Sequence, residues 1–175
     1  MGRFVYATVV GLVGAAVVHL VVLLLLPLVS ERDAWSRLAA RGALYETVPL
    51  GDAGDGDPLF RTVACRFDLS DGPLGLEGEG RSPFWSVSVH DREGHSLFSV
   101  SDRTLAGRLD IQILDPGQSV AARAAAALEA DAPVRFQADT EQGIAVLRAF
   151  VPDPTWAPAV DGLIASFRCA TLPEG

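Results

Sequence analysis

The chain has 175 residues and a formal net charge of −8, and all fourteen of its basic residues are arginine. This length allows one domain of ordinary size with an appendage, and an acidic chain without clustered basic residues is a poor nucleic-acid binder. Hydrophobic residues make up 49% of the chain, and the excess lies at its amino-terminal end.

An apolar segment at residues 4–29 contains no Asp, Glu or Arg. A helix of this length would extend about 39 Å, more than the roughly 30 Å hydrocarbon core of a bilayer. A cleaved signal peptide has a shorter apolar region and a small-residue cleavage site, and a buried helix is a further alternative. We predict an uncleaved transmembrane anchor. Gly11 and Ala15 within it have the spacing that permits self-association with a second membrane helix.

Two opposing signals bear on the side of the membrane where the rest of the chain lies. The arginines that follow the segment, Arg32, Arg37 and Arg41, favour a cytoplasmic domain by their number. However, a long domain is translocated largely regardless of charge, and an apolar segment at the extreme amino terminus is typical of a signal-anchor. We therefore predict a domain outside the cytoplasm.

Residues 30–44 predict a short juxtamembrane helix, in which Trp35 and Leu38 share a face and Gly42 is a suitable stop. Residues 45–175 predict one domain. A loop is expected near its start, at 51–58, where Asp and Gly alternate without the glutamate and flanking helices of a calcium-binding EF-hand.

Alternation of apolar and polar residues predicts strands through most of this domain. In residues 59–69 the face that carries Val63, Cys65 and Phe67 is the more apolar and is expected to point inward. Further strands are predicted at 74–77, 84–90, 96–101 and 109–114, and a hairpin is predicted from residues 134–139 and 143–151.

Two short helices complete the predicted domain. Asp115 is a suitable helix cap, Pro116 suits the first helical position, and the alanines that follow favour a helix. Residues 155–170 predict a last helix that delivers Cys169 to the core. The pattern as a whole predicts an α+β fold, with a transmembrane helix followed by one antiparallel, β-rich and sandwich-like domain.

The chain has two cysteines, Cys65 and Cys169. They are too few for a zinc site, and a catalytic thiol needs a histidine partner. For a domain outside the cytoplasm we predict a disulfide between them, which closes a loop of about a hundred residues. Buried free thiols are the alternative.

Residues 84–103, FWSVSVHDREGHSLFSVSDR, hold more chemically capable groups than any other stretch. His90 ends one predicted strand and His95 opens the next, so the two imidazoles are expected to stand opposite each other across a hairpin. Gly94 in the turn is free to take a positive φ. The polar side chains are expected to form a surface of the hairpin, with no catalytic residue, metal or cofactor.

An enzyme is the alternative interpretation of the same stretch. A small hydrolase or lyase would use His90 or His95 with Asp91 or Asp102, provided that these groups converge in a pocket. The histidines with Asp91 make a poor metal site, because a third strong ligand is missing.

The segment PFWSVSVHDREGHSLFSVSDR is similar to a segment of an uncharacterised bacterial envelope family, domain of unknown function 1254 (DUF1254), which has a companion domain, DUF1214. The sequences ERDAW, DPLF and ACRFDL, the proline-initiated helix and the terminal cysteine extend the resemblance over most of the chain. His90 departs from the pattern, where a tyrosine is expected. The resemblance implies a small anchored protein of the bacterial inner membrane with a periplasmic domain, and it transfers no catalytic residue.

Three functions follow from these features. The leading hypothesis is a single-pass envelope protein whose β-rich domain binds a partner protein or another envelope component. The hydrolase or lyase is the second, and a carrier with an enclosed cavity for an apolar ligand is the third. The candidate binding residues are Phe84, Trp85, His90, His95, Phe98 and Trp156.

Overall fold

The structure is a computed structural model that describes residues 1–51, 57–125 and 133–173. Most of the loop predicted at 51–58 and the last part of the alanine-rich segment lie outside these ranges. The chain divides into two compact units, Met1–Ala34 and Trp35–Gly175.

The first unit consists of helix. Helix α1 extends from Gly2 to Ala39, and within the described residues its stretch Gly2–Leu26 is the one helix long and apolar enough to cross a membrane. The mean hydropathy of that stretch is 2.9 and none of it is buried. Of the juxtamembrane helix predicted at 30–44, residues 30–39 are continuous with α1, and residues 40–44 follow its end. Self-association through Gly11 and Ala15 stays a prediction.

The second unit is built mainly of strands. The described part of this unit contains two short α-helices, α2 (Pro116–Ala125) and α3 (Ala157–Ser166). The described strands are β1 (Val48–Leu50), β2 (Phe60–Asp68), β3 (Leu74–Gly78), β4 (Trp85–Asp91), β5 (Ser96–Ser101), β6 (Leu109–Leu114), β7 (Val134–Gln137), β8 (Gln142–Phe150) and β9 (Arg168–Thr171).

These strands form two sheets, and the predicted α+β fold is confirmed. The five-stranded sheet has the order β1-β2-β8-β4-β5, and the four-stranded sheet has the order β7-β6-β3-β9. All of the pairs are antiparallel except β6 with β7. Because the inward side chains of both sheets belong to one core cluster, the sheets pack face to face as a sandwich.

The inward faces follow the predicted period of two. Every second residue of β2, β4 and β6 is buried, with side chains that are at most 4% exposed. The residues concerned are Val63, Cys65 and Phe67 on β2, Trp85, Val87 and Val89 on β4, and Leu109, Ile111 and Ile113 on β6.

The hairpin predicted from residues 134–139 and 143–151 is wrong. Strand β7 pairs in parallel with β6 in the four-stranded sheet, whereas β8 lies between β2 and β4 in the other sheet. Ile144, Ala145 and Leu147 are all buried, as expected for a central strand covered on both faces. Burial of both faces therefore outweighs the short connection that favoured a local hairpin.

Helix α2 makes the crossover from β6 to β7, and its start is capped as predicted. The Asp115 carboxylate accepts a hydrogen bond from the Gln118 amide at 2.7 Å, and the Gln118 side chain accepts one from the Asp115 amide at 3.0 Å. This reciprocal pair satisfies two amides that the first helical turn would leave without partners.

Cys169 lies on strand β9 and not on the predicted last helix. Helix α3 ends at Ser166 because the next residue, Phe167, has an extended backbone and a side chain that is 3% exposed. From there the burial alternates, with Cys169 inward and Arg168 outward. Cys169 is joined to Cys65 of β2 by a disulfide, which therefore links the two sheets through the core.

A second, smaller cluster covers part of the outward face of the five-stranded sheet. Leu38 at the end of α1 packs with Val48, Ala64 and Ile144. The ring of Trp35 lies beside them, with the guanidinium groups of Arg66 and Arg92 at 5.0 and 5.2 Å from its centroid.

Tyr45 connects the start of the domain to the end of β2. Its hydroxyl lies 2.7 Å from the Asp68 carbonyl oxygen and 2.8 Å from the Asp71 carboxylate, and donates to this pair of acceptors. Burial and the hydrogen bond to Asp71 raise the pKa of Tyr45 to about 12. The protonated hydroxyl is therefore the form that the fold stabilises.

We expect the substitution Tyr45→Phe to lower the free energy of unfolding by about 1 kcal/mol at neutral pH. A raised pKa means that the hydroxyl's contribution is complete below pH 10 and is lost as the pH rises through about 12. Urea denaturation of the wild type and the variant across this range should show their difference shrinking. A difference that stays constant to pH 12 would contradict the assignment.

Candidate functional site

The stretch 84–103 forms the hairpin of β4 and β5 with a tight turn. The Gly94 amide donates to the Asp91 carbonyl at 3.1 Å, and the Asp91 amide donates to the His95 carbonyl at 3.0 Å. Gly94 has a φ of 95°, the left-handed conformation that this type of hairpin turn requires.

The two histidines do not stand opposite each other. The pairing register shifts between Val89 and His90, so His90 pairs with Ser96. His95 lies in the exposed turn, where its Nδ1 is 2.9 Å from the Asp91 carboxylate. Burial opposes ionisation of that carboxyl, but hydrogen bonds from His95 outweigh burial and hold the pKa of Asp91 below its usual value.

Of the pairs that the enzyme alternative needs, the structure brings together only His95 and Asp91 among the described residues, and it places them in an exposed turn rather than in a pocket. His90 Nε2 lies 3.1 Å from the Ser88 hydroxyl, but the nearby Asp91 carboxylate binds His95 instead. The amide of Asp102 bonds to Trp85, at the opposite end of β4 from His90 and about 17 Å away along the strand. Within the described ranges no group of three or more His, Cys, Asp and Glu side chains could hold a metal ion.

The aromatic candidates lie at different depths. Trp85 is 3% exposed and belongs to the core, whereas Trp156, just before α3, is 36% exposed. Phe84 and Phe98 are partly buried. Phe98 stacks on Phe136 of β7 with 4.5 Å between ring centroids. Trp85 is therefore part of the core, and binding by the more exposed candidates stays a prediction.

A different site lies on the outward face of the four-stranded sheet. It is an open cleft of about 550 Å³, here called the charged cleft. Three acidic and two basic side chains line it together with a hydroxyl: Glu77, Glu79, Asp110, Arg108, Arg168 and Ser166.

Strand register accounts for the position of the charges. Glu77 on β3 is paired with Asp110 on β6 and with Arg168 on β9. Their side chains point away from the core, because Leu76, Ile111 and Cys169 beside them point inward. Three neighbouring strands thus present a row of charged residues to solvent.

Close packing holds the end of β3 and the residues after it in place. A Cβ atom at Gly78 would lie 2.6 Å from Leu109 Cδ2, and one at Gly80 would lie 2.8 Å from Leu163 Cα. The Ser166 hydroxyl accepts from the Glu79 amide at 2.9 Å and donates to the Glu79 carbonyl at 2.6 Å. Glu79 therefore projects from a backbone that is fixed at both its amide and its carbonyl.

The charges of the cleft are only partly paired. Arg108 forms an ion pair with Asp110. The side chains of Glu77, Glu79 and Arg168 are exposed and form no ion pair or hydrogen bond with any other residue in the described part of the chain. The cleft therefore offers two carboxylates and one guanidinium to a ligand.

The shape and lining of the charged cleft can be compared with what the third hypothesis, a carrier of an apolar ligand, requires. Such a carrier needs an enclosed, mostly apolar cavity, whereas this cleft is open to solvent and lined by charged groups. It gives no support to that function.

Sequence reasoning missed the charged cleft, although two signals for it are present. Glu77 and Glu79 alternate with glycines in LGLEGEG, a strand pattern with charges on one face. Arg168 directly precedes Cys169, so an inward cysteine on a strand places this arginine outward. These signals do not identify the cleft by themselves, because its residues come from β3, β6 and β9 and sequence alone does not show which strands are neighbours.

A family described as "Protein of unknown function (DUF1254)" matches residues 62–171 of the chain. The VPA0106 protein from Vibrio parahaemolyticus has a similar structure, with a TM-score of 0.58 and 12% identity over 82% of this chain. This likeness shows the fold alone. This chain spans 35% of that protein's length. An uncharacterized protein from Burkholderia cenocepacia is 11% identical over 71% of this chain and 37% of its own, with a TM-score of 0.43. No curated protein matches the sequence significantly.

Proposed function

The chain belongs to the DUF1254 family of proteins of unknown function, and from that premise we propose a single-pass protein of the bacterial inner membrane whose periplasmic domain binds an envelope component. The charged cleft carries the binding part of this proposal. The helix at the amino terminus and the disulfide support the location.

Two features support the location. Residues 2–26 form a helix that is long, apolar and exposed, and such a surface is stable in a bilayer rather than in water. The disulfide between Cys65 and Cys169 is of the kind that persists in oxidising compartments such as the periplasm and is rare in the cytosol.

The unpaired charges of the cleft are the single observation that favours binding. Side chains of opposite sign on neighbouring strands usually stabilise each other, yet Glu77 and Arg168 are register partners that form no ion pair. Charged groups that are fixed by strands but not paired with each other are available to an incoming partner. Since the backbone is held by the sheet and by Ser166, such a partner would meet a preorganised surface.

Co-purification of the full chain from detergent-solubilised membranes tests the binding role. We expect one envelope component to be retained at stoichiometric level by the wild type and to be lost at least tenfold from Glu77→Gln/Arg168→Gln. The variant Glu93→Gln/Arg148→Gln is the matched control, because it makes the same change of charge at exposed residues outside the cleft. Equal retention by both variants, or no retained component, would contradict the proposal.

A further inference from the structure

We infer that the charged cleft binds a ligand with both an ammonium and a carboxylate group, namely an amino acid or a short peptide with free termini. This inference rests on the proposed binding role and names the chemical class of the ligand. It follows from the three charged side chains that have no partner in the described part of the chain, Glu77, Glu79 and Arg168.

Arg168 is suited to hold the carboxylate. A guanidinium presents a planar set of donors that matches a carboxylate with two parallel hydrogen bonds. The residue lies on β9 next to Cys169, whose disulfide ties that strand to β2 in the opposite sheet. The backbone that carries the guanidinium is therefore held by pairing with β3 in its own sheet and by the disulfide to β2 in the other sheet.

Glu77 and Glu79 are suited to hold the ammonium group. Their carboxylates accept charge-assisted hydrogen bonds, which are shorter and stronger than neutral ones. Glu77 is the register partner of Arg168, and adjacent strands lie about 4.8 Å apart. The opposite charges thus lie within the span of a single amino acid or dipeptide.

Ligands of one sign fit the cleft less well. A simple anion bound at Arg168 would also meet the carboxylates of Glu77, Glu79 and Asp110. A cation bound at the two glutamates would meet Arg168 beside them. A ligand that carries both charges is repelled by neither set, and because Arg108 is already paired with Asp110, the remaining groups define the two ends of the site.

Isothermal titration of the full chain in detergent micelles with four forms of alanyl-alanine tests this inference. The forms are the free dipeptide, the amino-acetylated form, the carboxyl-amidated form and the doubly blocked form. We expect the free dipeptide to bind about tenfold more tightly than either singly blocked form, because each block removes one charge-assisted contact. Raising the salt concentration should weaken binding of the free form.

Two variants test which side chains of the cleft bind the carboxylate end of the ligand and which bind the ammonium end. Arg168→Gln is expected to bind the free and the amidated forms equally, because the carboxylate has lost its partner. Glu77→Gln/Glu79→Gln is expected to bind the free and the acetylated forms equally. Arg148→Gln, on the other sheet, should behave as the wild type, and unfolding midpoints for all variants establish that they are folded.

Equal binding of the free and doubly blocked forms, or no binding of any form, would overturn the inference. The co-purification experiment separates this failure from that of the proposed function. If no dipeptide binds but Glu77→Gln/Arg168→Gln still loses the retained envelope component, the binding role stands and the ligand class is wrong. If that variant retains the component, both proposals fail.

Discussion

Replacing Cys65 and Cys169 together by alanine is expected to lower the free energy of unfolding of the domain by about 4.7 kcal/mol, the value of the chain-entropy model for a loop of about a hundred residues. The two cysteines are 104 positions apart in the chain, so their bond restricts most of the unfolded domain. Since domains have only about 5–15 kcal/mol of stability, this single bond accounts for a large share of it.

Urea denaturation of the full chain in detergent micelles, followed by far-ultraviolet circular dichroism, measures this loss. Cys65→Ala and Cys169→Ala alone should each be about as unstable as the double variant, because either change removes the bond. A reductant should shift the midpoint of the wild type and leave that of the double variant unchanged. Equal midpoints for the wild type and the double variant would show that the disulfide does not stabilise the domain.

The substitution Trp85→Ala is expected to cost about 3–5 kcal/mol, the usual loss for a large aromatic residue removed from a core. Trp85 is 3% exposed and packs in the main core cluster between the sheets. Trp156 is 36% exposed and provides a matched control, because Trp156→Ala deletes the same side chain at a position where less of it is buried. We expect Trp156→Ala to cost less than Trp85→Ala, because a smaller part of its apolar surface is removed from water.

The same denaturation experiment compares the two tryptophan variants, and Trp85→Phe adds an intermediate case. The expected order of stability is wild type, Trp156→Ala, Trp85→Phe and Trp85→Ala. If Trp85→Ala were as stable as Trp156→Ala, the burial of Trp85 would be contradicted, and its role as a candidate binding residue would again be open.

Local patterns in the sequence were enough to predict much of the fold. Alternation in LFRTVACRFDL and FWSVSVH identified inward faces that the structure confirms for Phe67 and Trp85, because strand geometry places every second side chain on one face. The cap at Asp115 was equally local. The resemblance to the DUF1254 family, based on the FWS segment and its neighbours, is confirmed by the match over residues 62–171.

Long-range pairing could not be predicted in the same way. The chain between β7 and β8 is short enough for a hairpin, yet β7 pairs with β6 and β8 inserts between β2 and β4. The competing pairings differ in how much apolar surface they bury, and that surface comes from strands distant in sequence. The charged cleft was missed for the same reason, because the neighbours of Glu77 are Asp110 and Arg168.

The candidate residues of the hairpin show that a high local density of polar residues in the sequence does not by itself predict a functional site. His95 and Asp91 bind each other in an exposed turn, and Asp102 lies at the far end of the hairpin. A high density of polar groups in sequence did not place them in one pocket, because a hairpin spreads its residues along two strands and over two faces.

Reporters fused after Gly175 test the central claim, that the anchor holds the domain in the periplasm. Alkaline phosphatase, which matures only outside the cytoplasm, should be active in the fusion, and green fluorescent protein exported by the same route should be dark. Acid treatment of the cells stops thiol–disulfide exchange and so preserves the redox state of the cysteines. After the protein is denatured, Cys65 and Cys169 should be alkylated only if a reductant is added. A fluorescent fusion with inactive phosphatase, together with two cysteines that are alkylated without reduction, would contradict the account.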